Sequence, residues 1–243
     1  MRSLVVAAAV LGVGCRGVDV GTRPDPAVVH AVPVDGDPAL GPATAKVTIV
    51  FGGDFACAFC LRAAPVLGEL RRKYGDDVRI VWKHFVAHPV ARTPALAACA
   101  AQRQDRFFEL AQLIWEKSWQ NGSIKDLSEA AMVEHARSLG LDLDRFSADM
   151  KSAACKELLA GDQAALAAAG QSDAPAFFVN GRFVSGSPSI EGFRQIIDVR
   201  VQPGSTMLAR PEGSSRTISF FKLSMRPPRA ALLAAYSAWP ASP

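Results

Sequence analysis

Two cysteines separated by two residues form the clearest chemical motif of the sequence. They stand in the run Cys57-Ala58-Phe59-Cys60, and this spacing brings two sulfurs within bonding distance on the first turn of a helix. A thiol at a helix N-terminus faces unpaired backbone N–H groups, which lower its pKa from about 8.5 to between about 3.5 and 7.5. The motif predicts a redox site in which Cys57 is the nucleophile and Cys60 resolves the mixed disulfide.

A zinc site is the alternative for this motif, because the same spacing supplies half of many zinc sites. The sequence contains no second ligand pair at a similar spacing, so the fold would have to assemble the remaining ligands. The candidates are Cys99, Cys155, His84 and His88. The sequence favours redox chemistry, and it predicts neither a metal nor an organic cofactor.

Three polar side chains are secondary candidates for the chemistry. His84 or His88 would serve as a general base, but we favour a structural role for both, at the end of a strand and in a loop. Asp54 lies three residues before the first cysteine and either shuttles protons or caps a turn. The tryptophans expected in the core are Trp82, Trp115 and Trp119.

Hydrophobic patterning places the cysteine motif between a strand and a helix. Residues 45–51 are β-branched and apolar, which is typical of a buried strand. Leucine and alanine then recur at helical spacing as far as Gly75, a residue type that commonly follows a helix end. A second strand is predicted at 78–83. This order makes the two strands parallel, because crossover connections are right-handed.

A helical insertion follows at about residues 93–170. Within it, Asp126 and Glu129 are predicted to form a capping box, and Asp142 is predicted to cap a later helix.

The chain then returns to the sheet through an antiparallel hairpin. Its strands are predicted at 176–179 and 182–185, joined by Asn180-Gly181, a strong hairpin signal. A last helix is predicted from about Pro188 to Val201. The fold class is therefore α/β, with a mixed central sheet and helices on its faces.

The first fifteen residues have the pattern of a signal peptide. Arg2 precedes an uncharged apolar run from Leu4 to Val13, which at about ten residues is too short to span a membrane. The end of this run resembles the lipobox of bacterial lipoproteins, and that resemblance implies a lipid on Cys15. The alternative is an ordinary cleaved signal peptide with an incidental thiol. Export agrees with a redox cysteine pair, because disulfides persist outside the cytosol.

Composition and charge exclude several classes of protein. With 49% hydrophobic and 21% charged residues, the 243-residue chain can fill a core, which excludes wholesale disorder and collagen-like repeats. The net charge of +4 arises entirely after residue 202, so the folded part lacks the basic surface that nucleic-acid binding requires.

The expected organisation is a signal peptide at 1–15, a linker at 16–44, a folded domain at 45–202, and a basic tail containing Pro, Ser and Arg, predicted to be disordered, at 203–243.

Two segments of the chain resemble the DsbA-like branch of the thioredoxin superfamily. They are residues 54–60, which contain the cysteine motif, and residues 174–181, with the sequence APAFFVNG; the resemblance covers roughly 32–199. It implies a thioredoxin fold in which Pro175 is a cis-proline beside the active disulfide. It also implies that substrate peptides bind at Ala174 and Pro175 by strand addition.

The resemblance bears on three further positions. Related exported proteins often join their insertion helices by a disulfide, which implies a bond between Cys99 and Cys155; two buried thiols are the alternative. Ala58 and Ala174 depart from the family, which usually has proline at the first position and threonine or valine at the second. Residues at these places tune the redox potential, so the departures leave the direction of the reaction less constrained.

These observations predict a thiol:disulfide oxidoreductase of the bacterial cell envelope. It would exchange disulfides with exported proteins through Cys57 and Cys60, in the oxidase direction, and an envelope redox partner would reoxidise it. The alternatives are a reductase or isomerase with the same site, or a non-catalytic binding lipoprotein. The expected location is the periplasm or envelope, with a lipid on Cys15 as the contact with the membrane.

Overall fold

The computed structural model describes residues 25–186 and 189–201. The predictions for the signal peptide, for Cys15, for Pro188 and for the tail at 203–243 concern positions outside the described residues. None of the helices in the described part combines the length and the apolar character needed to cross a membrane.

A five-stranded mixed sheet forms the centre of the fold. The strands of the described residues are β1 (Ala39–Leu40), β2 (Val47–Gly53), β3 (Val78–His84), β4 (Trp119–Gln120), β5 (Ser123–Ile124), β6 (Ala176–Val179) and β7 (Arg182–Val184). The order in the large sheet is β1-β3-β2-β6-β7. Strands β2 and β3 are parallel, and β6 and β7 form an antiparallel hairpin. The predicted mixed α/β sheet is confirmed.

Helices flank the sheet and fill the insertion between its two halves. They are α1 (Ala58–Tyr74), α2 (Arg92–Gln102), α3 (Phe107–Lys117), α4 (Glu129–Ser138), α5 (Leu143–Lys151), α6 (Ala153–Ala168) and α7 (Ile190–Val201). Helix α1 begins at the cysteine motif and ends at Gly75, as predicted. The three tryptophans expected in the core are all buried.

The sheet begins earlier in the chain than the sequence indicates. Ala39 and Leu40, which the sequence analysis assigns to the linker, form an edge strand antiparallel to β3. Val29 adds an isolated bridge to Arg182 on the opposite edge. Leu40 is buried, so this segment covers the open edge of β3. A strand of two residues is too short to show a periodic pattern, so the sequence does not predict it.

Two local details of the insertion also differ from the predictions. The cap of α4 is Ser128, whose hydroxyl accepts a hydrogen bond from the N–H of Ala131. Asp126 instead accepts one from the N–H of Ser128. The predicted capping box of Asp126 and Glu129 is therefore wrong, because Glu129 is the first residue of the helix and the residue three after the cap is Ala131. Asn121-Gly122 forms the turn between β4 and β5, the same signal that marks the closing hairpin. Asp142 caps α5 as predicted.

A disulfide between Cys99 and Cys155 joins α2 to α6, with 5.7 Å between the Cα atoms. The two cysteines are buried within the helical insertion, and 56 residues separate them in the sequence. The bond therefore closes a long loop, which reduces the conformational entropy of the unfolded chain.

Replacing Cys99 with serine should lower the free energy of unfolding by about 2–4 kcal/mol. The loss arises because the open loop regains conformational freedom in the unfolded state. Urea denaturation of the oxidised protein measures it. The matched control is Cys155→Ser, which should cost a similar amount, and the double variant should cost little more than either single variant. Unfolding free energies within about 0.5 kcal/mol of the unmodified protein would contradict the expectation.

Candidate active site

Cys57 stands at the N-cap of α1, directly after β2 and a short turn. Its backbone is extended, and its sulfur accepts a hydrogen bond from the N–H of Cys60 over 3.4 Å. The sulfur thus occupies the place that a serine or aspartate oxygen takes in an ordinary helix cap. The predicted position of the motif at a helix N-terminus is confirmed.

Two glycines bring β2 close to its neighbours just before the motif. A Cβ atom on Gly53 would lie 2.5 Å from the Trp82 ring, and one on Gly52 would lie 2.9 Å from Leu166. These distances are shorter than any normal contact, so only glycine allows the strand to approach this closely. The close packing fixes the point at which the chain leaves the sheet and enters the turn before Cys57.

The two thiols differ in burial. Cys57 is 4% exposed and Cys60 is 0% exposed, and both are free. Phe59 between them is 57% exposed, and the Arg62 guanidinium lies 4.4 Å from the centre of its ring. Cys57 is therefore the sulfur that an external disulfide can reach, while Cys60 can react only with Cys57.

The pKa values of the two thiols are shifted in opposite directions. A hydrogen bond from the Cys60 thiol makes the largest contribution to lowering the pKa of Cys57, to about 7. Burial opposes this shift, and the backbone N–H groups of Cys60 and Phe59 add to it. Burial raises the pKa of Cys60 well above its ordinary value. The backbone amides that the sequence indicates as the cause of the lowered pKa therefore contribute less than the thiol of Cys60.

Asp54 caps the turn that leads into the motif. Its side chain is fully buried, and one oxygen accepts a hydrogen bond from the N–H of Ala56 over 2.6 Å. The other oxygen accepts bonds from the N–H groups of Ala87 and His88, each over 2.8 Å. These contacts support the turn-capping interpretation. The negative charge of Asp54 also raises the pKa of both active-site thiols.

The two histidines near the second strand have different surroundings. His84 is fully buried, and burial lowers its pKa to about 4; its Nδ1 lies 3.4 Å from the indole nitrogen of Trp82. It therefore acts as a neutral core residue. The Nδ1 of His88 lies 3.1 Å from Asp54 Oδ2, with the imidazole half exposed.

Ala174 and Pro175 lie beside Cys57, and the peptide bond between them is cis. The sulfur of Cys57 is 3.5 Å from the carbonyl oxygen of Ala174, although 117 residues separate them in the sequence. Both residues are half-buried. The structure therefore brings Cys57, Cys60, Ala174 and Pro175 together. Cys99 and Cys155 are bonded to each other in the insertion.

Sequence reasoning missed two contacts around this site. The indole N–H of Trp119 donates a hydrogen bond to the carbonyl of Phe55 over 3.0 Å, which ties the β4–β5 hairpin to the turn before the motif. The carboxylate of Asp173 accepts a hydrogen bond from the N–H of Ala174. An aspartate in the loop just before Ala-Pro was the available signal for this contact, since such residues often bond nearby backbone.

Within residues 25–186 and 189–201, no three histidine, cysteine, aspartate or glutamate side chains are grouped so that they could hold a metal ion.

Comparison with curated proteins finds relatives that are much longer than this chain. It is 35% identical over 151 residues to the Na(+)/H(+) antiporter NhaA of Herminiimonas arsenicoxydans, covering 62% of this chain and 23% of that protein. The chain spans about a quarter of the length of the curated relatives it matches.

Solved structures with low sequence identity share the fold. A thioredoxin-like oxidoreductase from Silicibacter pomeroyi is 24% identical, with a TM-score of 0.60 over 67% of this chain and 90% of that one. Wolbachia pipientis alpha-DsbA1 is 18% identical, with a TM-score of 0.60 over 70% of this chain and 93% of that one. The family model described as Thioredoxin matches residues 34–199. The chain therefore belongs to the thioredoxin family and has the DsbA-like fold that its two motifs indicate.

Proposed function

We propose that this protein is a thiol:disulfide oxidoreductase that oxidises thiols of exported proteins through Cys57 and Cys60. One observation carries the proposal. Cys57 has a pKa lowered to about 7 and lies against Ala174, while its partner Cys60 is buried and has a raised pKa. This asymmetry gives one sulfur the role of nucleophile and leaving group, and it gives the other the role of resolving thiol.

The reaction starts from the oxidised enzyme, in which Cys57 and Cys60 are bonded to each other. A substrate thiolate attacks Cys57, so that a bond forms between substrate and Cys57 while the Cys57–Cys60 bond breaks. Cys60 leaves with the electron pair and takes up a proton. A second substrate thiolate then attacks the substrate sulfur of the mixed disulfide, and Cys57 leaves as a thiolate. Two electrons pass from the substrate to the enzyme.

The pKa shifts favour this sequence of steps. Because burial raises the pKa of Cys60, the departing sulfur becomes protonated, which slows its return to attack the mixed disulfide. The lowered pKa of Cys57 makes it a good leaving group in the second step. Stabilisation of the Cys57 thiolate stabilises the reduced enzyme, and a stable reduced form makes the disulfide an oxidant.

We place the reaction in the bacterial cell envelope, with a lipid on Cys15 as an anchor and an envelope redox protein as reoxidant. The signal-peptide pattern of residues 1–15 supports export. The Cys99–Cys155 disulfide adds support, because disulfides persist in oxidising compartments and are rare in the bacterial cytosol.

Reduction or isomerisation of disulfides is the second candidate function. It is favoured by the pKa of Cys57, which is lowered only to about 7. Thioredoxin, a reductant, has a pKa of about 7 at this position, whereas the strong oxidant DsbA has about 3.5. The same two cysteines would serve either direction, so the redox potential decides between them.

The Cys57–Cys60 couple should have a midpoint potential between about −120 and −200 mV if the protein is an oxidase. The lowered pKa of Cys57 stabilises the reduced form and raises the potential. Equilibration in glutathione buffers, followed by alkylation and mass spectrometry, measures it. The Cys99→Ser/Cys155→Ser protein is the matched control, because its only thiols in the described chain are the active pair. A potential near −270 mV, the value of thioredoxin, would establish the reductase direction instead.

A further inference from the structure

The backbone at Ala174 lies beside the reactive sulfur and is partly exposed. Cys57 Sγ lies 3.5 Å from the Ala174 carbonyl oxygen, and Ala174 and Pro175 are both more exposed than Cys57. A polypeptide whose own sulfur bonds to Cys57 must therefore pass alongside this segment. Hydrogen bonds between the substrate backbone and the polar groups of this segment would strengthen binding.

The segment offers one suitable N–H group. Pro175 has no N–H, and Ala176 already belongs to β6, where it is paired with Gly52 of β2. The N–H of Ala174 is therefore the donor available to an added strand next to Cys57.

That donor is already occupied by a neighbouring side chain. The N–H of Ala174 donates a hydrogen bond to Asp173 Oδ1 over 2.8 Å. The side-chain amide of the buried Gln171 donates to the backbone carbonyl of Asp173 and so holds the loop in place. The Asp173 side chain itself is exposed, and it makes no ion pair within the described residues. An unneutralised negative charge thus occupies the place where a substrate carbonyl would bind.

We propose that Asp173 is a specificity-determining residue that competes with the substrate backbone for the N–H of Ala174. The inference rests on the proposed disulfide exchange and deepens it. A substrate carbonyl must displace the Asp173 carboxylate before it can accept a hydrogen bond from the N–H of Ala174. This displacement costs free energy when the substrate is a peptide, whereas a small thiol without a backbone reacts without it. The displaced charge favours substrates with a lysine or arginine beside the reacting cysteine, and it repels substrates with a glutamate or aspartate there.

Two variants separate the hydrogen bond from the charge. Asp173→Ala removes both, whereas Asp173→Asn keeps an acceptor oxygen and removes only the charge. Because the side chain is exposed, both proteins should fold like the wild type. Each oxidised protein is mixed with two synthetic peptides that carry one cysteine flanked by lysines or by glutamates. Rapid acid quenching and mass spectrometry give the rate of mixed-disulfide formation on Cys57.

Asp173→Ala should react about three- to tenfold faster than the wild type with both peptides, and the gain should be larger for the glutamate peptide. Asp173→Asn should react with the two peptides at nearly equal rates while keeping the average rate of the wild type. High salt should reduce the wild-type preference for the lysine peptide, because it screens exposed charges.

Two controls separate this effect from a general change at the site. The rate with β-mercaptoethanol, which has no peptide backbone, should be the same in all three proteins. The pKa of Cys57 in the reduced proteins should also be unchanged. Equal or slower reaction of Asp173→Ala with both peptides overturns the inference but leaves the proposed function intact, since the wild type still reacts. Failure of the wild type to react with either peptide overturns both.

Discussion

Disulfide exchange should fall by a factor on the order of 10³ or more when Cys57 is replaced with serine. A hydroxyl cannot form the mixed disulfide, and the second thiol of the motif, Cys60, is fully buried and has a raised pKa. Stopped-flow measurement with a disulfide-bonded model peptide gives the rate. A variant that retained more than about a tenth of the wild-type rate would contradict the assignment of Cys57 as the nucleophile.

The matched variant Cys60→Ser should instead accumulate a stable adduct. The reduced Cys57 thiolate attacks the peptide disulfide, one peptide thiol leaves, and no neighbouring sulfur can release the bound half. Mass spectrometry should locate the peptide on Cys57. The double variant Cys57→Ser/Cys60→Ser provides the baseline and should bind none. If the Cys60→Ser protein forms no adduct, the chain is better described as a thioredoxin-fold binding module.

Among the substitutions proposed here, one that removes the cation from a buried cluster of three charged side chains should lower the free energy of unfolding most. Lys83 Nζ lies 2.6 Å from Asp37 Oδ2 and 2.7 Å from Asp162 Oδ1, and each of the three side chains is at most 5% exposed. The second oxygen of Asp162 accepts a hydrogen bond from the N–H of His84. The cluster joins the segment before β1 to β3 and α6.

Replacing Lys83 with methionine should lower the free energy of unfolding by about 3–5 kcal/mol at neutral pH, because two acidic side chains are left buried without a cation. Urea denaturation measures the loss. Lys46→Met is the matched control: it breaks the ion pair with Asp77, in which the side chains are 55% and 37% exposed, so it should cost less than about 1 kcal/mol. Similar costs for the two variants would contradict the role of the buried cluster.

The loss in Lys83→Met should be smaller at pH 5 than at pH 8. Burial already raises the pKa of Asp37 to about 7 in the presence of Lys83, and removal of the cation raises it further. A carboxyl group with a raised pKa holds its proton more tightly in the folded state. Its contribution to stability is therefore fully present below the unfolded pKa of about 4, and it is lost as the pH rises through the folded pKa.

The sequence was sufficient for the parts of the site that depend on local signals. The position of Cys57 at the start of α1 follows from the strand before it and the helical repeat after it. The closing hairpin follows from Asn180-Gly181, whose turn requires backbone angles that these two residues adopt readily. The place of Pro175 came from the resemblance between residues 174–181 and the family motif.

The remaining features depend on contacts between distant segments. The Cys60 thiol lowers the pKa of Cys57 through a side-chain geometry that spacing alone does not define. Asp54 accepts hydrogen bonds from residues more than thirty positions away. Lys83 donates a hydrogen bond to Asp162, which lies 79 positions away in the sequence. No local pattern distinguishes these carboxylates from ordinary surface acids, so only the folded chain identifies them.

Titration of Cys57 in the reduced protein tests the central claim most directly. The rate of iodoacetamide alkylation, followed from pH 4 to 10 with the site identified by peptide mapping, should rise with pH through a midpoint of about 7, because only the thiolate reacts. In Cys60→Ala the midpoint should shift toward a higher pH, since alanine cannot donate the hydrogen bond that makes the largest contribution to the lowered pKa. A midpoint of 8.5 or above in the unmodified protein, as for a free cysteine, would contradict the account.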